Sequence, residues 1–342
     1  MTIAPLLVAA LVVSVVGTGL LRRYALFRSI LDIPNDRSSH TSPTPRGGGV
    51  AIVVAFGAGT IALATIGAVP LSTAYSLVGA GLIAAVTGFL DDHRSVTPAW
   101  RLVAHFAAAA WALTWLGGLP PLQLVGRAVD LGLIGDLLAT VGLVWLLNLY
   151  NFMDGIDGIA GVEALTVCFG AMLLYTSRPD TGGEWALPGL LALASLGFLA
   201  WNFPPARIFM GDAGSGFIGL MLGVLTVRAA MVNPSWLWSW MILLGVFIVD
   251  ATVTLVRRLV RRKRLDQAHR SHAYQHAAAR LGAHRPVTIA VGAINLFWLA
   301  PLALAVGTSH LNGMLGIVIA YVPLVWLALR FDAGVATLGR QR

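Results

Sequence analysis

About eleven apolar stretches, each near the length a helix needs to cross a bilayer, fill most of this chain and leave little room for another fold. They run over residues 3–21, 48–69, 73–90, 102–118, 133–150, 158–176, 186–202, 214–231, 236–256, 287–306 and 311–329. Inside lipid the backbone polar groups have only one another to bond, so such stretches are helices. Pro and Gly mark several boundaries, as at Pro70, Pro120, Pro204 and Pro286. The expected architecture is all-α and polytopic. A single integral membrane domain covers 1–342, with no internal repeat and no separate soluble domain.

Composition agrees. Only 11% of residues are charged, against roughly a quarter in soluble domains, and the mean hydropathy is +0.80. The net charge of +8 would suit nucleic acid if it covered one face of a domain, but it does not. With eleven spans, all of the 23 Lys and Arg residues except Arg127, Arg178 and Arg228 fall in loops on one side. The positive-inside rule makes that side cytoplasmic, with the N-terminus outside and the C-terminus inside. The expected setting is the inner (plasma) membrane of a bacterium, in contact with lipid and with no nucleic-acid partner. Arg22 and Arg23 follow the first apolar run, the reverse of a cleavable signal, so that run is taken as a mature helix. The single cysteine, Cys168, lies in an apolar stretch and rules out an intramolecular disulfide.

The unusual polar segments all fall on the basic side, in loops about 22–47, 91–101, 151–157, 203–213 and 257–286. Carboxylates at the ends of apolar helices are costly, and several in one plane point to a shared site. Asp91 and Asp92 close the third stretch, where two adjacent acids oppose the helix dipole unless a cation relieves them. They are either a solvated helix end or a divalent-metal and base pair. Asp154-Gly-Ile-Asp157-Gly places two acids in a tight turn that fits either a metal–phosphate site or a polar interhelix loop, with Asn148 and Asn151 beside it. Met210-Gly-Asp212-Ala-Gly-Ser215 opens the eighth stretch. There glycines can leave helix N–H groups for phosphate and Asp212 can hold a metal, or Asp212 or Ser215 can simply cap the helix. No Gly-Lys-Ser/Thr follows, so this is not a P-loop. His269, His272 and His276 lie at helical spacing in the most basic loop, without the Cys or Glu pattern of a zinc site. With Arg270 they suit a nucleotide diphosphate. Glu163 and Asp250 sit near the same ends of their stretches, while His105 and Asp136 are taken as structural.

Taken together, DDHRS (91–95), NLYNFMDGIDGIAG (148–161), NFPPARIFMGDAGSGFIG (202–219) and HRSHAYQ (269–275) resemble the polyprenyl-phosphate N-acetylhexosamine-1-phosphate transferase family. The resemblance spans about 32–285 with five motifs in order. DRSSH and PTPRGGG (36–40, 43–49) look most like the branch that initiates O-antigen synthesis. It implies a Mg²⁺-dependent reaction (Mn²⁺ as the substitute) in which a polyprenyl phosphate, such as undecaprenyl phosphate, attacks the β-phosphorus of a UDP-N-acetyl sugar and UMP leaves. It implies catalytic roles for Asp91, Asp92, Asp154 and Asp157, with Asp91 deprotonating the lipid phosphate. Asp212 and Asp92 would hold metal, and Asn151, Asn202, His269, Arg270, His272 and Arg46 would contact substrate. Monomer and homodimer are both compatible with the sequence. Two departures stand out. His-Arg-Ser-His replaces the three consecutive histidines of the peptidoglycan enzymes of this family, which argues against a MurNAc-pentapeptide donor, and His40 and Arg46 stand where relatives often carry lysine.

Two other classes fit less well. A transporter would place its acids near the midplane on repeated, broken helices, whereas these cluster at one face. A CDP-alcohol phosphotransferase needs Arg after Asp-Gly-x-x-Ala, and here Gly161 follows Ala160.

Overall fold

The structure is a computed structural model of the 342-residue chain that describes all residues except 1, 35–41, 95, 125–126, 264–269 and 336–342. Its helices are α1 (Ile3–Phe27), α2 (Val50–Thr65), α3 (Leu71–His93), α4 (Pro98–Leu116), α5 (Gly132–Met153), α6 (Ile159–Thr176) and α7 (Ala186–Asn202). They continue as α8 (Asp212–Val232), α9 (Trp236–Leu243), α10 (Gly245–Val260), α11 (Ala273–Leu281), α12 (Arg285–Ile294), α13 (Ala300–Gly307) and α14 (Gly313–Arg330). Two short antiparallel ribbons pair β1 (Leu31–Asp32) with β2 (Thr44–Pro45) and β3 (Leu122–Leu124) with β4 (Arg127–Val129).

Every apolar stretch picked out from the sequence contains a helix, but they are not equivalent. Among the described residues seven helical runs are long and apolar enough to cross a membrane: α1, α3, α5, α6, α8, residues 285–307 and α14. The pair α9–α10 makes an eighth if counted as one span. Helices α2 and α7 are shorter than these. The single straight helix expected over 236–256 is in fact α9 and α10 meeting at 70°. The break frees α10 to turn one face, Asp250, Thr254 and Arg258, into the protein while Val256, Leu259 and Val260 stay exposed. The stretch at 287–306 contains a π-helical turn, Asn295–Leu299. It brings Asn295 to Glu163 on α6, whose Oε2 accepts from Asn295 Nδ2 at 2.7 Å.

Helix α8 is the axis of the bundle. It is buried along most of its length and packs on α3, α5 and α9, with α2 against its N-terminal end. Lipid is as apolar as leucine, so close packing rather than escape from water holds such helices together. Small residues permit it: a Cβ at Gly219 would lie 2.6 Å from Cβ of Tyr150 on α5. The periphery is apolar and outward-facing, as at Val8 on α1, Leu133, Leu137 and Leu138 on α5, and Trp326 on α14. That inversion of the soluble pattern is what a lipid solvent selects, and the chain is a multi-span membrane protein.

Candidate active site

The C-terminal ends of α3, α5 and α7 and the N-terminal ends of α2, α6, α8, α11 and α12 converge on one end of the bundle. This antiparallel arrangement gathers loops far apart in sequence around a polar cavity of about 230 Å³. Asn151, Asp154, Asp157, Asn202, Asp212 and Arg46 all line it. The β1–β2 ribbon and a bridge between Arg46 and Phe209 bring the 42–49 segment in. Gly47 and Gly48 both donate their N–H groups to the Phe209 carbonyl, at 3.1 and 2.9 Å.

The floor of the cavity is an ion cluster. Nη2 of Arg46 lies 2.7 Å from Oδ1 of Asp92 and 2.7 Å from Oδ1 of Asp212. Burial works against the charge on Arg46, but Asp212, Asp92 and Asp32 outweigh it and hold its pKa above the ordinary value. Asp92 also accepts from the backbone N–H groups of Asp212 (3.0 Å) and Ala213 (3.2 Å), so it caps α8 from a different helix. This corrects one sequence reading. The N–H groups opening α8 are not left for a phosphate, because Asp92 takes two and the Gly211 carbonyl takes those of Gly214 and Ser215. Gly211 makes the turn possible with φ of +79°, and a side chain there would meet Asp92 Oδ2 at 2.7 Å.

Asp154 follows the last turn of α5, where its N–H donates to the Asn151 carbonyl, and it faces the cavity with a carboxylate that has no hydrogen-bond partner among the described residues. Burial, reinforced by Asp212, Asp92 and Asp157 against the pull of Arg46, pushes its carboxyl well above the usual carboxylate range. Asp157 is held on several sides. Its Oδ2 accepts from Ala206 N at 3.0 Å, its Oδ1 lies 3.2 Å from His284 Nδ1, and its carbonyl accepts from Thr288 Oγ1 at 2.8 Å. Asn202 joins two loops, accepting from Gly158 N and donating to the Ile208 carbonyl, both at 2.9 Å. Asn151 donates to Ser215 Oγ at 3.0 Å.

Asp91 is not in this cavity. It faces a second, narrower cleft bounded by α3, α4, α5 and α8, where Arg101 is hydrogen-bonded to its Oδ2 and Val96 N donates to its Oδ1 at 2.9 Å. The cleft and the cavity have two residues in common, Asn151 and Asp212. The two spaces therefore adjoin at these two side chains.

The basic loop is arranged differently from the sequence reading. His269 lies outside the described residues. His272 lines neither space. It is buried beside Asp250, with Nδ1 3.4 Å from Oδ1, and its backbone starts α11. Arg270 borders a separate hollow with Gln275 and His284. Among the described residues of this region, those that reach the acid cavity are Gln275 and His284. Neither was picked out as a site residue from the sequence, although Gln275 closes the HRSHAYQ motif and His284 stands just before Arg285-Pro286 at a helix start.

No three histidine, cysteine or carboxylate side chains among the described residues form a ready-made metal cage. The donor set still fits Mg²⁺, which keeps several waters and takes one or two carboxylates together with substrate phosphates. The bridging guanidinium nitrogen of Arg46 marks a point where two carboxylates already demand positive charge, and the unpartnered Asp154 adds a third oxygen donor facing the same space.

Residues 74–230, which carry Asp91, Asp92, Asn151, Asp154, Asp157, Asn202 and Asp212, match the model of glycosyl transferase family 4. The chain is 30% identical to the phospho-N-acetylmuramoyl-pentapeptide-transferase of Moorella thermoacetica, over 75% of this chain and 82% of that one. It is 29% identical to the decaprenyl-phosphate N-acetylglucosaminephosphotransferase of Mycolicibacterium smegmatis, over 80% and 73%. It is 25% identical to a Bacillus subtilis protein named "Probable undecaprenyl-phosphate N-acetylglucosaminyl 1-phosphate transferase", over 89% and 86%. The chain belongs to glycosyl transferase family 4.

Proposed function

We propose that this protein transfers an N-acetylated sugar-1-phosphate from a UDP-sugar to undecaprenyl phosphate at the cytoplasmic face of a bacterial plasma membrane, starting a cell-surface glycan such as O-antigen. The observation that carries this is the shared boundary: a polar cavity and a second cleft meet at Asn151 and Asp212. In-line phosphoryl transfer needs the nucleophile and the leaving group on opposite sides of one phosphorus, and two adjoining spaces can supply that. The donor diphosphate occupies the cavity and the acceptor phosphate the cleft. Relatives named for transfer to decaprenyl or undecaprenyl phosphate support the same chemistry.

An oxygen of the lipid phosphate bonds to the β-phosphorus while the bond from that phosphorus to the UMP oxygen breaks. Arg101 attracts the acceptor phosphate, and Asp91 both holds Arg101 and stands ready to take any proton the phosphate retains. Arg46 balances charge between Asp92 and Asp212 before substrate arrives. Asp212 and Asp154 would hold Mg²⁺, which would supply the neutralisation that clustered phosphates require. Asn151 ties the boundary between the two spaces to α8, Asn202 fixes the 202–212 loop, and His284 with Gln275 borders the donor.

The test is UMP release by purified protein given undecaprenyl phosphate, Mg²⁺ and a panel of UDP-N-acetyl sugars that includes UDP-MurNAc-pentapeptide. Release with one amino-sugar donor, abolished by EDTA, supports the reading. Release only with the pentapeptide donor would move the protein to peptidoglycan synthesis, and release with none would refute the assignment.

A further inference from the structure

His105 is a nearly buried polar side chain for which the packing of the bundle supplies only half a role. It sits on α4 one turn beyond Arg101, is 9% exposed, and lines the cleft that also holds Asp91, Arg101 and Asn148. Its Nδ1 lies 3.2 Å from Nδ2 of Asn148. That same amide nitrogen donates to the Val144 carbonyl at 2.7 Å, so the nitrogen and not the oxygen of Asn148 faces the imidazole. A donor opposite Nδ1 requires Nδ1 to be the acceptor, and the ring is then the neutral tautomer with its hydrogen on Nε2. Nε2 makes no hydrogen bond to the described residues, yet it is not among the polar atoms sealed away without a partner. Buried polar atoms are normally paired with protein or ordered water, and the described residues supply no partner for Nε2. Here one nitrogen is locked and the other is left for the cleft.

We propose that His105 is a recognition residue for the acceptor's phosphate, donating from Nε2 beside the guanidinium of Arg101, with Asn148 positioning it by fixing its tautomer. This rests on the assignment of the cleft to the acceptor. One guanidinium and one neutral N–H suit an anion that must be gripped and then react: Arg101 gives charge and His105 gives direction, without a second full positive charge to blunt the nucleophile. Positions 101 and 105 are one helical turn apart on the same face, so a single phosphate can meet both.

His105→Asn and His105→Gln separate this from packing. The asparagine amide reproduces the reach of Nδ1, and the glutamine amide reproduces that of Nε2. In steady-state transfer by the full-length protein, His105→Asn is expected to raise the KM for undecaprenyl phosphate about tenfold or more. The KM for the UDP-sugar and the affinity for UMP should stay where they are, and His105→Gln should recover most of the loss. If His105→Asn shifts donor and acceptor KM together, or if glutamine does no better than asparagine, the inference is wrong. If the wild type transfers no sugar phosphate, the reading of function falls first. Binding of undecaprenyl phosphate to the same variants in nanodiscs then still decides the site. Weaker binding in His105→Asn restored in His105→Gln upholds it, and equal binding in all three proteins overturns it.

Discussion

Asp92 holds Asp212 by its backbone: the carboxylate at the end of α3 accepts the N–H of Asp212 at 3.0 Å and so fixes where the first turn of α8 stands. The two acids look alike in the sequence and do different work. Asp92 has a side chain only 4% exposed, spent on a helix cap and an ion pair, whereas the Asp212 side chain is 26% exposed to the cavity.

Replacing them should separate the two roles. Asp212→Asn is expected to cut turnover by about 10²-fold or more with little change in melting temperature. Asp92→Ala should lower the melting temperature as well, because losing a helix cap costs about 0.5–2 kcal/mol and leaves Arg46 with one partner fewer. UMP release and thermal unfolding in detergent, measured side by side, check this.

Asp154 gives a pH-dependent signature. Its carboxyl is raised by folding, so its contribution to stability is fully present below the unfolded value of about 3.9 and is lost as pH rises through the raised one. In EDTA at pH 8, Asp154→Asn should therefore melt above wild type, with the gap closing near pH 4. Mg²⁺ should raise the melting temperature of wild type more than that of the variant. Equal responses to Mg²⁺ would remove Asp154 from the metal site.

His284 touches Asp157 and lines the polar cavity but not the cleft beside Asp91. His284→Ala is expected to raise the KM for the UDP-sugar about tenfold while leaving that for undecaprenyl phosphate unchanged. This is the mirror image of the effect expected at Arg101, where alanine should raise the acceptor KM alone.

The orientation can be read with cysteines, since the native Cys168 is buried and silent. A cysteine at the exposed position Arg178 should react with an impermeant maleimide on intact cells, and one at exposed Arg94 only after permeabilisation. The opposite pattern would invert the protein in the membrane.

Much of this was legible before any coordinates. The apolar stretches fixed the helical class, and the acid-bearing loops at their ends pointed to Asp154, Asp157 and Asp212 of the cavity, because lipid tolerates neither irregular backbone nor stray charge. What the sequence hid was relational. Nothing in Asp91-Asp92 says that neighbours on one helix end face different spaces, yet Asp92 turns to α8 and Asp91 to α4. His272 stood out by type and spacing but is turned toward Asp250, which takes the N–H groups of Ala273 and Tyr274 and so anchors α11. His284, in an unremarkable setting, reaches the cavity instead. The bend at Leu244 and the π turn at Asn295 interrupt stretches that read as continuous spans, so the hydropathy pattern gave no warning of either.

The boundary at Asn151 and Asp212 also bears on how the protein could be blocked. Compounds mimicking the nucleotide and compounds mimicking the lipid headgroup would approach from different sides and need not displace one another. On the proposed assignment of the two spaces, a tether running past Asn151 would join the two kinds of compound into a single bisubstrate ligand.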